Sequence, residues 1–411
     1  MNRFSKICKA LASAPHRLFF LGGVLQAIAA MLWWLVELSG RFASVHPSTS
    51  WMILPVGAHA YLMIYGFVPF FIFGFLFTFF PNWLDTSRIP ALHYLLSFFG
   101  MGAGTVLFYG GLLFSKSILL FAVLSVLLGW GIGTASLIRI LLPARSSEKI
   151  HLGLMVLFIL FGAAGLVSFF LWIFINDPIW LNLAEVIGIW FFLLPLTVTV
   201  SHLVIPFFSN NALNDYRVVQ PLSILWILLA GIFLRGLLEG VGMRRYFWIP
   251  DTVLLIFASS LSLVWGIWKS VNIKMLFMLH LSFAWFSVAI MLDLLQNLMS
   301  IWSHENLFTL GFAPLHALTV GFLSSMVVGM STRITLGHSG RRMAAGSAVW
   351  RIFLTLQIAA ILRVVADLFL ADSLFNLGGY LGAGLLWIGG FIFWLLIYGP
   401  LLWYPAHSER Q

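Results

Sequence analysis

Cysteine is nearly missing from this chain: Cys8 is the only one among 411 residues. A single thiol excludes a disulfide framework, a thiolate-held iron–sulfur cluster and c-type haem attachment. Any metal must therefore rely mostly on histidine. Charge is scarce too. Only 9% of residues are charged and 61% are hydrophobic, where soluble domains carry about 25% charged residues. That composition excludes a soluble domain and predicts an all-α, polytopic membrane helical bundle. The net charge of +9 does not point to nucleic acid, because the basic residues gather in the short segments between apolar runs and so report topology. A cleavable leader is also lacking in the expected reading. Arg3, Lys6, Lys9, His16 and Arg17 precede the first apolar run, but Glu37-Leu38-Ser39-Gly40-Arg41 after it is a poor cleavage site. The run is kept as a first span.

Twelve spans can be drawn: 18–38, 53–80, 91–114, 117–142, 151–175, 180–206, 219–238, 249–269, 274–300, 308–334, 346–370 and 374–403. The connections are too short to insert a soluble domain. The expected organisation is a basic N-terminal segment at 1–17, one membrane domain at 18–403 and a tail at 404–411. Trp51, Trp83, Trp180, Trp248, Trp302 and Trp403 fall near span ends, as interfacial tryptophans should. With the N-terminus in the cytoplasm, one side of the bilayer holds 16 of the 22 Lys and Arg residues and the other holds five, with Arg363 inside a span. The bias predicts that both termini are cytoplasmic.

One stretch, Phe308 to Arg342, organises the rest. It is apolar to Met330 and then turns polar and basic. His316 lies in the apolar part and His338 in the polar part, about 33 Å apart along an unbroken helix. Small residues (Gly311, Ala317, Gly321, Ser324, Ser325 and Gly329) allow close approach of a neighbouring helix or a flat cofactor. Span two carries a faint echo. His59-Ala60, Gly66-Phe67 and Gly74 parallel His316-Ala317, Gly321-Phe322 and Gly329, on spans that run in the same direction.

Ionisable groups inside hydrocarbon are costly and mark function by default. His59 and His316 form an outer pair at matched depth, with Glu185 and Asp293 at similar depths. His280, His202 and His338 form an inner group. Neutral imidazole ligates haem iron and copper, so His59, His316, His280 and His338 are candidate metal ligands. The outer pair is expected to share one centre, and the inner residues to serve or support a second. His202, near an interface, reads as structural. Tyr61 lies about 200° around the helix from His59 and should not share its face. Arg363 and Asp367, at i and i+4, can pair on one face. Alternatively, Arg363 holds an anionic cofactor group such as a haem propionate. Arg235 and Glu239 repeat that spacing near an interface, where a solvated pair is expected.

The segments AHAYLMIYGFVPFFIFGFLFTFFPNW (58–83), HLVIPFFSNNAL (202–213), HLSFAW (280–285) and HALTVGFLSSMVVGMSTRITLGHSGRR (316–342) resemble the NnrS family of bacterial membrane proteins, in order and over most of the chain. HALTVG and TRITLGHSGR are the most specific. The resemblance implies a twelve-span inner-membrane protein that contains haem and copper, handles nitric oxide and protects against nitrosative stress. It implies a metal-binding stress-response protein rather than a turnover enzyme. His59, His280, His316 and His338 stand where the family's recurrent histidines stand. The family's His-Ala-His-Glu-Met string is His59-Ala60-Tyr61-Leu62-Met63 here, and its arginine before Ile-Pro-Phe-Phe is replaced by Leu203-Val204. Tyrosine can ligate haem iron, so Tyr61 is a candidate substitute; Leu62 cannot replace a glutamate.

Two other classes remain open at this point. Twelve spans with polar midplane residues suit a secondary transporter, although Gly/Pro-broken helices in corresponding positions of two halves are not evident. A quinol-linked electron carrier, with a quinol or redox partner, would use the same metals. For the leading reading the partners are nitric oxide, which is small and apolar and arrives through lipid, and the bilayer itself.

Overall fold

The computed structural model describes residues 3–43, 49–146, 148–303, 310–340, 346–368 and 373–404. Among the described residues there is helix and no strand. Twelve helices are long and apolar enough to cross a membrane: α1 (Pro15–Arg41), α2 (Pro55–Trp83), α3 (Ala91–Phe114), α4 (Lys116–Leu141), α5 (Lys149–Ile175), α6 (Pro178–Ala212), α7 (Leu222–Gly240), α8 (Arg244–Val264), α9 (Lys274–Ser303), α10 (Ala313–His338), α11 (Ser347–Leu368) and α12 (Asn376–Trp403). They correspond one to one with the expected spans. A basic amphipathic helix, Arg3–Ala12, precedes them. The flanks of the organising stretch at Phe308, Thr309, Arg341 and Arg342, and the tail at 405–411, lie outside the described residues.

Backbone contacts cluster in two compact units. The first comprises Met1–Leu196, Ser331–Arg342 and Phe391–Gln411; the second comprises Thr197–Met330 and Met343–Gly390.

In the first unit, small residues and aromatic rings carry the packing. The α3–α4 hairpin turns on Ser115, whose hydroxyl accepts from the Ser117 amide at 3.1 Å. The two helices then touch backbone to backbone. A methyl group on Gly104 would stand 2.5 Å from the Ala122 carbonyl oxygen, and one on Gly129 would stand 2.6 Å from that of Ser97. Only glycine fits such an approach. Phe19 and Phe20 of α1 pack on Phe70, Phe71, Phe73 and Phe77 of α2. Val106, Phe114, Phe121 and Leu128 point outward from the hairpin and suit a lipid-facing surface.

In the second unit a polar chain ties three helices. Trp285 of α9 donates to Gln357 of α11 at 2.7 Å, and Gln357 donates to Ser325 of α10 at 2.6 Å. Gly321 of α10 faces the Trp285 ring with no room for a side chain. Each buried polar atom named here has its partner, as a low-dielectric interior requires.

Three spans differ from the rest. The most apolar windows of α2, α6 and α10 are 83%, 72% and 72% buried, against 61% or less in the other nine. The same three helices widen into π-helical turns, at Leu62–Phe67, Ile187–Leu193 and Ala317–Ser324. Each lies four spans from the next. In α2 and α6 the cause is a proline just beyond the wide turn. Pro69 and Pro195 lack an N–H, and their rings crowd the carbonyls of Tyr65 and Phe191, four residues back. α10 has no such proline. There the Ser324 hydroxyl inserts into the ladder and donates to the Thr319 carbonyl, five residues back, at 2.7 Å.

Candidate functional site

His316 stands at the last position of regular helix before the wide turn of α10. Its Nδ1 lies 2.9 Å from the Phe312 carbonyl oxygen. A carbonyl oxygen can only accept, so Nδ1 carries the proton and the ring lone pair is on Nε2. That is the state in which a histidine ligates a metal, with its other nitrogen held by a backbone carbonyl. The ring is half-buried. Asp367 Oδ2 is 3.9 Å from Nδ1.

Arg363 and Asp367 do pair. Arg363 Nη1 donates to Asp367 Oδ2 at 2.5 Å, and the Tyr380 hydroxyl donates to Oδ1 at 2.6 Å. The guanidinium carbon lies 4.1 Å from the centre of the Tyr380 ring. Asp367, 1% exposed, thus has both oxygens satisfied and its charge opposed. Gly311 closes the cluster. Its φ is +52°, and a methyl there would sit 3.3 Å from Asp367 Cβ. One helical turn therefore joins a metal-competent imidazole to a neutralised ion pair.

His59 belongs to the first unit and His316 to the second, and each has its own surroundings. The His59 ring stacks on Trp34 of α1, with centroids 4.2 Å apart and planes 14° from parallel. Above it, Trp51 donates to Glu37 at 2.6 Å, and Arg41 pairs with the same carboxylate at 2.6 Å. Tyr61 faces elsewhere, as its angular offset from His59 predicts. Its ring packs against those of Phe108 and Phe169, with centroids at 4.0 and 4.6 Å, and its buried hydroxyl has no hydrogen-bond partner among the described residues. Tyr65, in the wide turn of α2, donates to the Ala184 carbonyl at 2.6 Å, just before the wide turn of α6.

The inner histidines have different partners. His280 is buried, with Nε2 3.0 Å from the Ser209 hydroxyl. His202 has Nε2 3.3 Å from the Pro221 carbonyl, and its own carbonyl accepts from Gln220 at 2.8 Å. These bonds tie α6 to the segment before α7, which is a structural role. His338 is exposed and sends Nδ1–H to the Ile334 carbonyl at 3.0 Å, which leaves the lone pair on Nε2. Its ring lies 4.6 Å from that of His16. His16 was not singled out from the sequence as a ligand. Thr78 Oγ1 already donates to Gly74, so at 3.5 Å it can only accept from His16 Nδ1.

Arg235 and Glu239 correct an expectation. Arg235 is not a solvated residue but 4% exposed, and it faces three carboxylates, those of Glu239, Asp251 and Asp293. Asp251 begins a span and reads in the sequence as an ordinary first-turn acid.

Among the described residues no group of three or more His, Cys, Asp and Glu side chains could hold a metal ion. A haem needs only one or two axial imidazoles, and the His316 donor fits that need. A copper ion held by protein alone needs more than the His16–His338 pair supplies.

No curated protein matches the chain. Residues 10–406 match the family described as NnrS protein. That match takes in all of the described histidines and all twelve spans, so this chain is a member of the NnrS family.

Proposed function

We propose that this protein is a haem-binding membrane protein that handles nitric oxide or protects against nitrosative stress, with His316 as an iron ligand. The observation that carries the reading is the place of His316, at the start of the wide turn of α10 with its Nδ1 2.9 Å from the Phe312 carbonyl oxygen. Departures from α geometry of this kind concentrate at functional sites. The family resemblance supplies the identity of the group and of the small molecule.

Haem iron, when bound, supplies a coordination site for nitric oxide. The chain's own residues do the rest. Phe312 holds the His316 ring in one orientation. Asp367 stands beside Nδ1, with Oδ2 3.9 Å away. Arg363 and Tyr380 fix that carboxylate by donating to its two oxygens. Arg363 retains further donors for an anionic group such as a propionate. His59, on its Trp34 platform, is the corresponding candidate in the first unit. Copper, also implied by the resemblance, would draw on His16 and His338 and would need a ligand beyond them.

The test is absorption spectroscopy and metal analysis of the purified full-length protein from haem-supplied cells. A Soret band with haem near stoichiometric is expected, and its position should shift on adding nitric oxide. A colourless folded protein that takes up no haem would overturn the reading and favour transport.

A further inference from the structure

The helices α7, α8 and α9 meet around a buried guanidinium. Arg235 Nη1 donates to Glu239 at 2.6 Å and Nη2 to Asp293 at 2.7 Å. Its Nε lies 3.2 Å from Asp251 Oδ1, but without hydrogen-bond geometry, and Oδ1 takes no hydrogen bond from any described group. The other Asp251 oxygen accepts from Asn297 at 2.8 Å. Phe247 closes one face of the guanidinium at 3.5 Å from its ring centre. The ionisable groups of these three helices at this end, among the described residues, are Arg235 and Glu239 on α7, the exposed Arg244, Arg245 and Tyr246 with Asp251 on α8, and Asp293 on α9.

We propose that this cluster is a proton-binding site, in which Asp251 holds an exchangeable proton at neutral pH. The argument is charge and geometry. One guanidinium faces three carboxylates, and its two well-directed donors are taken by Glu239 and Asp293. If all three acids were ionised, the buried site would carry two uncompensated negative charges, and a buried charge is kept only when paired. Asp251 is the acid with the weakest claim on Arg235 and the least contact with water, since it is 0% exposed. The proton belongs there. Glu239, 38% exposed, is the member in reach of solvent. Protonation forms one O–H bond with a proton from water, and release returns that proton to water; no other bond changes. The proposal uses none of the residues assigned to haem.

The test is infrared spectroscopy of full-length protein in detergent across pH. Wild type at neutral pH should show a protonated-carboxyl C=O stretch that moves down in D2O and disappears in alkali. Asp251→Asn should lack it. A folded wild type without that band at neutral pH, or a band unchanged in Asp251→Asn, overturns the proposal. Asp293→Asn guards against a variant that does not fold. With one competing negative charge removed, the band should disappear at lower pH than in wild type, and an unmoved midpoint would equally overturn the assignment.

Discussion

Two clusters in the second unit share a sequence signature and differ in kind. Arg363 with Asp367 and Arg235 with Glu239 are both arginine–acid pairs at i and i+4 inside or near a span. The first is closed: one cation, one anion, a tyrosine hydroxyl on the anion and an aromatic ring under the cation. The second is open: one cation, three acids, and one carboxyl oxygen that takes no hydrogen bond from any described residue. Spacing sets which residues can pair along one helix. What neighbouring helices add decides whether the pair is balanced. A balanced pair can orient a neighbour such as His316; an unbalanced one binds protons.

The largest effect should separate the clusters most clearly. Arg235→Ala leaves Glu239 and Asp293 without their cation beside Asp251, and it should cost more than the roughly 3–5 kcal/mol of breaking one buried pair. Acid should rescue it, because protonation removes the charges left unpaired. Thermal unfolding in detergent at neutral and acid pH reads both effects, and a variant equally unstable at both would mean that the acids do not crowd one charge. Arg363→Ala should cost about 3–5 kcal/mol by leaving Asp367 buried and unopposed. Asp367→Ala should cost less, and the double variant less than the two together. Additive losses would show that the pair is not a closed unit. Next, Gly311→Ala forces a side chain into left-handed backbone at about 1–2 kcal/mol and presses on Asp367, so any His316-dependent spectrum should change with it. The smallest effect belongs to Glu239→Gln, where an exposed partner is lost and stability should move by about 1 kcal/mol or less.

Much of this was legible in the sequence. Apolar runs and turn chemistry gave all twelve spans, because lipid leaves helices few alternatives. α2 and α10 both widen into π-helical turns, and the sequence carries a faint echo between them in histidine, alanine and Gly-Phe. The wide turn of α6 was not, although Pro195 placed as Pro69 is in α2 was a signal for it. His16 beside His338 could not be read, since the two are distant in sequence and no local pattern joins them. Asp251 was missed for a related reason. A first-turn acid on a span reads as a helix start, and only the packing of α7 and α9 around it reveals a buried carboxyl.

The central claim, that His316 is a haem ligand, has a direct test in paired variants. Histidine is replaced by alanine at position 316 and, as the control, at position 202, whose ring is committed to the Pro221 carbonyl. Both proteins are purified and their absorption spectra are recorded with haem content. His316→Ala should lose or shift the Soret band while remaining folded, and His202→Ala should keep the wild-type spectrum. A wild-type spectrum in His316→Ala would contradict the assignment.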